Sequence, residues 1–161
     1  MGDDGMVGLI TYMRTDSVRI SPDAQEAARK FIGETFGAEY LPDEVPQYTS
    51  KSSNVQDAHE AIRPSIVDYI PSKIKNYLSK EEAALYELIY NRFVASQMKP
   101  AVIDQTTVNI ESDDFTFRTT GSVIQFKGFL AIYDDIKEDK EAKENEEPNS
   151  VLPKGLKENL E

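Results

Sequence analysis

The chain has 161 residues and carries 18 lysines and arginines against 29 aspartates and glutamates, a net charge of -11. This length allows one domain or parts of two. The negative charge excludes DNA binding through bulk positive charge, because phosphates are neutralised by lysine and arginine on the contacting face. Any nucleic-acid site must therefore be local.

The residue inventory excludes several further classes. With no cysteine and a single histidine, a disulfide scaffold, a zinc ribbon, a thiol nucleophile and a self-contained His-rich metal site are all disfavoured. No apolar run approaches the roughly 20 residues that span a bilayer, and the first residues are acidic where a signal peptide is basic. We therefore predict a cytoplasmic protein without a membrane segment.

The first half of the chain predicts one strand, one helix and a loop. Weak alternation over Val7–Ser17 predicts a strand on which Tyr12 and Arg14 share a face. Ser21, followed by a proline, predicts the start of an amphipathic helix that runs until Gly37. Residues 41–54 are rich in Pro, Ser, Gln and Asn and predict a loop or an extended surface segment.

Capping patterns predict two further helical elements. Asp57 and Glu60 form a capping pair that predicts a short helical turn up to Arg63, where a following proline disfavours helix. A capping box that begins at Ser79 predicts a long helix to about Met98. The apolar residues of this helix cover more than one stripe, which predicts contacts on two sides.

After Pro100 the hydrophobic period changes from 3.6 to 2. Three segments rich in β-branched and aromatic residues predict an antiparallel meander, with a turn at 111–114 and a break at Gly121: Val102–Ile110, Phe115–Thr120 and Val123–Tyr133. The predicted fold class is therefore α+β. Residues 134–147 carry eight acids and three lysines and predict a solvated linker or long loop.

The strongest cluster of polar side chains follows the first predicted strand and comprises Tyr12, Arg14, Thr15, Asp16 and Ser17. By residue type alone, a tyrosine beside an arginine is most often a packing feature. The functional interpretation is a phenolic hydroxyl that acts as nucleophile beside a guanidinium that holds a phosphate in a fork. Attack by tyrosine on a phosphodiester conserves the energy of the broken bond, so the reaction reverses without ATP.

A second cluster surrounds His59. A lone histidine is more often a structural residue than a catalyst. On a helical turn, His59 and Arg63 would share a face, and both could meet an anionic backbone. A protonated histidine would donate a hydrogen bond to a phosphate, and a neutral one could orient Tyr12 or a leaving hydroxyl. Glu60 is expected to cap the turn or to pair with Arg63.

Two strings make the sequence recognisable. GLITYMRTDS at residues 8–17 and DAHEAIRPS at residues 57–65 strongly resemble the tyrosine and histidine motifs of bacterial type IA DNA topoisomerase I. Both occur in the same order as in the family, and a helix ending in FVASQM at 93–98 follows them. The resemblance extends to Tyr133 and fades across the acidic segment. Met13 and the Glu60/Arg63 form of the second motif resemble topoisomerase I more than topoisomerase III or reverse gyrase.

The resemblance implies specific roles. Tyr12 would be the nucleophile that bonds to the 5′ phosphate of a cleaved strand, Arg14 would stabilise the scissile phosphate, and His59 would contact the DNA backbone. A supporting role in the DNA groove is implied for Thr15, Asp16, Ser17 and Arg63. The parent enzyme would relax negatively supercoiled DNA, and its DNA would be single-stranded or underwound.

The resemblance also implies a domain organisation. Residues 1–99 would form a winged-helix-like, N-terminally truncated DNA-gate domain, and residues 100–161 would supply strands of the arch domain, with an acidic loop at 134–150. A hinge is expected near 99–101. Mg²⁺ would bind in a missing N-terminal domain of the same chain, so this fragment would be inactive alone. The expected location is the bacterial nucleoid.

Two other functions stay open on the residues alone. The first is a noncatalytic single-stranded nucleic-acid-binding module in which the tyrosine cluster packs or stacks on bases. The second is a purely structural interaction protein, which the negative charge favours. It ranks last because it explains neither motif.

Overall fold

The structure is a computed structural model that describes residues 7–49 and 59–133. Three α-helices and two β-strands occur in this part of the chain, in the order α1 (Pro22–Thr35), α2 (Pro71–Ile74), α3 (Lys80–Ser96), β1 (Val102–Ser112) and β2 (Phe115–Phe126). The predicted α+β class is confirmed. Within the described ranges, no helix has both the length and the apolar character needed to cross a lipid bilayer.

Helix α1 begins and ends where the local signals place it. Ser21 has an extended backbone and is the N-cap, and the proline after it occupies the first turn, where its missing N–H costs no hydrogen bond. Gly37 follows the helix with a φ of 110°, which glycine adopts at little steric cost. Ala28 and Ile32 lie on the fully buried face of the helix.

Helix α3 starts with the predicted capping box. The backbone N–H of Glu82 donates to the Ser79 hydroxyl at 3.3 Å, and the Glu82 carboxylate accepts from the Ser79 backbone N–H at 2.9 Å. The hydrogen bond from that backbone N–H lowers the pKa of the Glu82 carboxyl. The predicted contact on two sides is wrong for the described part of the chain, since Leu85 and Leu88 are exposed.

The core lies between α1, α2 and α3. Its buried members are Ala28, Ile32, Val67, Ile74, Tyr86, Tyr90, Phe93, Val94, Met98 and Ile132. The hydroxyl of Tyr90 donates to the Val67 carbonyl at 2.8 Å, so this buried phenol is paired. Burial raises the pKa of Tyr86 to about 12, and its hydroxyl donates to the Tyr69 carbonyl. Helix α2, which the sequence analysis did not predict, contributes Ile74.

The predicted loop is confirmed over residues 41–49, which contain no helix or strand; residues 50–54 of that prediction lie outside the described ranges. The segment is fixed to both long helices. Gln25 and Arg29 of α1 donate to the carbonyls of Pro46 and Pro42, and the Tyr48 hydroxyl donates to the Ser96 carbonyl.

Over the described residues 102–133, the sheet is one antiparallel hairpin and not a three-stranded meander. The predicted turn is confirmed at Asp113 and Asp114, where Asp113 has a φ of 49°. Gly121 does not break the second strand. It pairs with Thr106 in the middle of the ladder, because one glycine weakens a strand without ending it when its neighbours keep their ladder bonds.

The predicted third strand is wrong because the chain bends at Gly128. Strand β2 continues to Phe126, and Gly128 then adopts a φ of 49° and begins a 3₁₀ turn. Gly128 packs directly on the backbone carbonyls of Lys99 and Pro100, at the passage from α3 to β1. The Phe129 N–H donates to the Lys99 carbonyl at 2.9 Å. The acidic segment 134–147 lies outside the described residues.

Replacing Gly128 with alanine is expected to lower the free energy of unfolding by about 1–3 kcal/mol, because a Cβ would meet two backbone carbonyls at a residue with positive φ. Gly8→Ala is the matched control, since no atom of the residues that the structure describes lies within 4 Å of the Cβ position there. Urea unfolding followed by circular dichroism measures both. Equal stability of the two variants would contradict the close packing at Gly128.

Candidate active site

The two motif segments lie side by side. The strand predicted over Val7–Ser17 is reduced to one antiparallel bridge, between Ile10 and Pro64. Backbone hydrogen bonds flank this bridge: the Thr11 N–H donates to the Arg63 carbonyl and the Ser65 N–H to the Leu9 carbonyl, both at 2.9 Å. A contact across more than 50 residues of chain thus joins the tyrosine motif to the histidine motif.

The helical turn predicted up to Arg63 is wrong over the described residues 59–63, which have no helical structure; Asp57 lies outside the described ranges. Backbone groups of this segment form hydrogen bonds with residues far away in the sequence. The Ala61 N–H donates to the Arg19 carbonyl at 2.8 Å, and the Ala61 carbonyl accepts from the Thr11 hydroxyl. Long-range pairing therefore overrides the local capping signal, and the helical face assumed for His59 and Arg63 does not exist.

Tyr12 is exposed and lies beside His59. The tyrosine is 75% exposed, and the centroids of the two rings are 5.9 Å apart at an interplanar angle of 32°. A tight turn follows immediately, since the Arg14 N–H donates to the Tyr12 carbonyl at 2.8 Å. The structure thus brings together the tyrosine and the histidine that the sequence singled out, with the phenol ring accessible to solvent.

Arg14 is held by a carboxylate two residues away. Its Nε donates to Asp16 Oδ2 at 2.8 Å, and both side chains are partly exposed. Among the residues that the structure describes, the two terminal nitrogens of this guanidinium make no hydrogen bond. The pairing through Nε therefore orients the guanidinium and leaves its fork available.

Two buried polar atoms in this region have no hydrogen-bond partner within the described ranges: His59 Nδ1 and Asp16 Oδ1. Buried polar groups are nearly always paired, so an unpaired one calls for an explanation, such as a catalytic role or an ordered water that completes the set. Both belong to residues next to Tyr12 or Arg14, in space or in sequence. The imidazole and the carboxylate therefore each retain hydrogen-bonding capacity at the site.

Arg63 is engaged in contacts within the chain. Its guanidinium donates to Glu60 Oε2 from Nε at 2.9 Å and from Nη2 at 2.6 Å, and to the Pro64 carbonyl from Nη1 at 3.0 Å. The expected pairing with Glu60 is confirmed. A weaker bond from Nη2 reaches the hydroxyl of Ser21, the N-cap of α1. These contacts link the histidine motif to the start of α1.

The remaining predicted site residues differ in exposure. Thr15 is exposed and forms a turn with the half-buried Asp16. Ser17 is buried, and its hydroxyl accepts from the Arg19 N–H at 3.2 Å. Their contacts with DNA stay predictions. Thr11 is a further residue of this site that was not predicted, although a hydroxyl on the strand face opposite Tyr12 was a usable signal.

A magnesium site does not form within the described part of the chain. No group of three or more histidine, aspartate or glutamate side chains converges there in a way that could hold a metal ion. Asp16, the carboxylate nearest in sequence to Tyr12, is already paired with Arg14. These residues alone therefore do not fit a Mg²⁺ ion.

Comparison with known proteins agrees with the motifs. A family profile described as DNA topoisomerase matches residues 6–159. The chain belongs to the bacterial type IA DNA topoisomerase I family. Relatives named DNA topoisomerase 1 include that of Xylella fastidiosa, 46% identical over 148 residues, and that of Campylobacter jejuni, 43% identical over 159 residues.

The chain accounts for only part of such family members. The matches cover 91% and 98% of this chain, but 18% of the Xylella protein and 22% of the Campylobacter protein. The structure of full-length topoisomerase I from Thermotoga maritima is similar, with a TM-score of 0.68 and 39% identity, over 81% of this chain and 20% of that one. The chain therefore spans about a fifth of the length of these family members.

Removing the Arg63 guanidinium is expected to weaken the fold. Arg63→Met should lower the free energy of unfolding by about 1–3 kcal/mol, because the partly buried Glu60 carboxylate loses its partner. Asp43→Asn is the control: it breaks the Lys99–Asp43 pair, whose carboxylate is 94% exposed, and should cost less than about 0.5 kcal/mol. Urea unfolding measures both changes. Unchanged stability in Arg63→Met would contradict the structural role and favour the predicted contact with DNA.

Proposed function

We propose that this chain is part of a longer DNA topoisomerase I polypeptide that relaxes negatively supercoiled DNA by transient cleavage of one strand through Tyr12. The observation that carries the proposal is the exposed Tyr12 ring 5.9 Å from the ring of His59, inside the two matched motifs. The substrate is single-stranded or underwound DNA. Another strand passes through the gap before it is resealed.

The proposed reaction is a transesterification. The Tyr12 phenol oxygen bonds to the phosphorus, and the 3′ oxygen of the preceding nucleotide leaves and takes up a proton. The phenol gives up its own proton in the same step, so atoms and charges balance. Attack by the freed 3′ hydroxyl on the phosphotyrosine reverses the reaction without ATP. Exposure of Tyr12 supports this step, because a buried phenol could not reach a phosphodiester.

Arg14 is proposed to hold the scissile phosphate. Its Nε is occupied by Asp16, and its terminal nitrogens have no partner among the described residues. A guanidinium held in this way can donate two parallel hydrogen bonds to phosphate oxygens and stabilise the charge that develops in the transition state. Asp16 then acts as the residue that orients this fork.

His59 is proposed to contact the DNA backbone beside the cleavage point. Its ring lies next to the exposed ring of Tyr12. A protonated imidazole donates from both nitrogens and so can reach a phosphate oxygen. Thr15 and Ser17 are proposed to shape the groove, and Arg63 to support it through Glu60.

The rest of the enzyme is proposed to lie outside this chain. It would comprise the Mg²⁺-binding acidic domain, and residues 1–99 and 100–161 would belong to the DNA-gate and arch domains, with a hinge near 99–101. One face of the hairpin carries exposed apolar side chains, including Ile110, Phe115 and Phe117. Their exposure supports the proposal that this face packs against other parts of the arch domain. The expected location is the cytoplasm, at the nucleoid.

The covalent adduct tests the proposal. The full-length protein that carries this chain, mixed with magnesium and an end-labelled single-stranded oligonucleotide, should yield a protein-linked band on a denaturing gel. The band should disappear in Tyr12→Phe, which removes only the phenolic oxygen. The chain of 161 residues alone should form no adduct, because the acidic metal-binding domain is not positioned beside Tyr12.

The outcomes separate the candidate functions. An adduct that survives in Tyr12→Phe would overturn the assignment of the nucleophile. Tight binding of the oligonucleotide without any adduct would favour the noncatalytic binding module. Relaxation of supercoiled DNA by the isolated chain would contradict the need for a further domain.

Arg14→Lys tests the proposed phosphate fork. Lysine retains the charge but not the planar pair of donors, so cleavage by the full-length protein should fall by about 10-fold or more while the fold is retained. Arg92→Lys is the matched control, since Arg92 is an exposed residue of α3. Equal cleavage rates for Arg14→Lys and wild type would contradict the fork.

A further inference from the structure

Thr11 makes the closest side-chain link between the two motif segments. Its hydroxyl donates to the Ala61 carbonyl at 2.8 Å and accepts from the Arg63 N–H at 3.0 Å. The Thr11 backbone N–H adds the bond to the Arg63 carbonyl. One residue, directly before the nucleophile, thus makes hydrogen bonds to two residues that closely follow His59.

The position of this link matters because backbone pairing between the segments ends there. After Thr11 the chain turns at Tyr12–Arg14, and no backbone hydrogen bond within the described ranges joins residues 12–16 to residues 59–62. The contact between Tyr12 and His59 is a contact between their rings. The last fixed points before these rings are Thr11 on one segment and Ala61 on the other, and the Thr11 hydroxyl joins them.

We propose that Thr11 is a positioning residue for strand cleavage, which places the Tyr12 phenol against His59 by bridging the two segments through its hydroxyl. The catalytic consequence of this inference rests on the proposed function. Its structural content stands independently, because the bridge is a property of the folded chain. A hydroxyl is needed because it must donate to one backbone group and accept from another. Valine has the same shape but can do neither.

Nuclear magnetic resonance tests the bridge without any activity. His59 is the single histidine of the chain, so its ring protons are identified without ambiguity. In the 161-residue chain, wild type and Thr11→Ser should show a nuclear Overhauser contact between the Tyr12 and His59 rings. Thr11→Val should lose this contact and shift the His59 resonances. Thr116→Val is the control, since Thr116 is an exposed hairpin residue with the same chemical change.

An unchanged ring contact in Thr11→Val would overturn the proposal, as would an equal shift of the His59 resonances in Thr116→Val. Should Thr11→Val fail to fold, Thr11→Ser and Thr11→Ala decide, since they differ by one oxygen atom. Retention of the ring contact in Thr11→Ser and its loss in Thr11→Ala would support the bridge. Equal ring contacts in these two variants would overturn it.

Kinetics of the full-length protein test the catalytic consequence. Thr11→Val should lower the rate of adduct formation at saturating oligonucleotide by about 10- to 100-fold, because small misplacements of reacting groups cost this much. The oligonucleotide dissociation constant should stay within about 2-fold, and Thr11→Ser should recover most of the rate. A weakened affinity with an unchanged rate would overturn the positioning role. Absence of any adduct in wild type would instead refute the proposed function.

Discussion

The pairing of residues 9–11 with residues 61–65 is the constraint on which the candidate site depends. It joins two stretches that are 50 or more residues apart, and it places the exposed Tyr12 ring beside His59. Closing so long a loop costs conformational entropy, which is offset by the hydrogen bonds between the two stretches and by the core that Ile32 and Val67 share. Arg63 also reaches Ser21, so the same pairing is connected to the start of α1.

Elements with strong local signals could be predicted from the sequence. The capping box at Ser79 fixes the start of α3, because its hydrogen bonds satisfy backbone groups within one turn. Helix α1 starts after Ser21 because the proline that follows suits the first helical turn, although the Ser21 side chain makes no capping hydrogen bond. The loop after α1 follows from composition. By contrast, the capping signal before Arg63 fails, since backbone groups of residues 61 and 63 bond instead to residues 11 and 19. Such long-range competition is not visible in a local pattern.

The hairpin shows the same limit. Alternation and the Asp113 turn predict antiparallel strands, but the continuation through Gly121 and the bend at Gly128 depend on tertiary contacts. Gly128 bends the chain because it packs on the backbone near Pro100, which no window around residue 128 contains. The exposed Leu85 marks a further limit, because a chain that spans about a fifth of its relatives need not bury every apolar stripe by itself.

At the site, the sequence supplies the chemical types, and the structure supplies the arrangement. Tyr12, Arg14 and His59 could be singled out from residue type and from the resemblance to the family. The pairing of Arg63 with Glu60 could also be expected from the sequence. The orientation of Arg14 by Asp16 could not, because it depends on a backbone path that is neither strand nor helix. The hydroxyl of Thr11 could be noted from the sequence, but its bridge between the two segments depends on the folded backbone.

The central claim is that the tyrosine and histidine motifs are held together by their own hydrogen bonds. Amide hydrogen exchange on the wild-type chain tests it most directly, at the donors Thr11, Arg63 and Ser65. The account predicts that these three amides exchange at least about 10-fold more slowly than unstructured peptide amides, and to similar degrees. Exchange at the unstructured rate for all three would mean that the two motifs are not joined in solution, and would contradict the account.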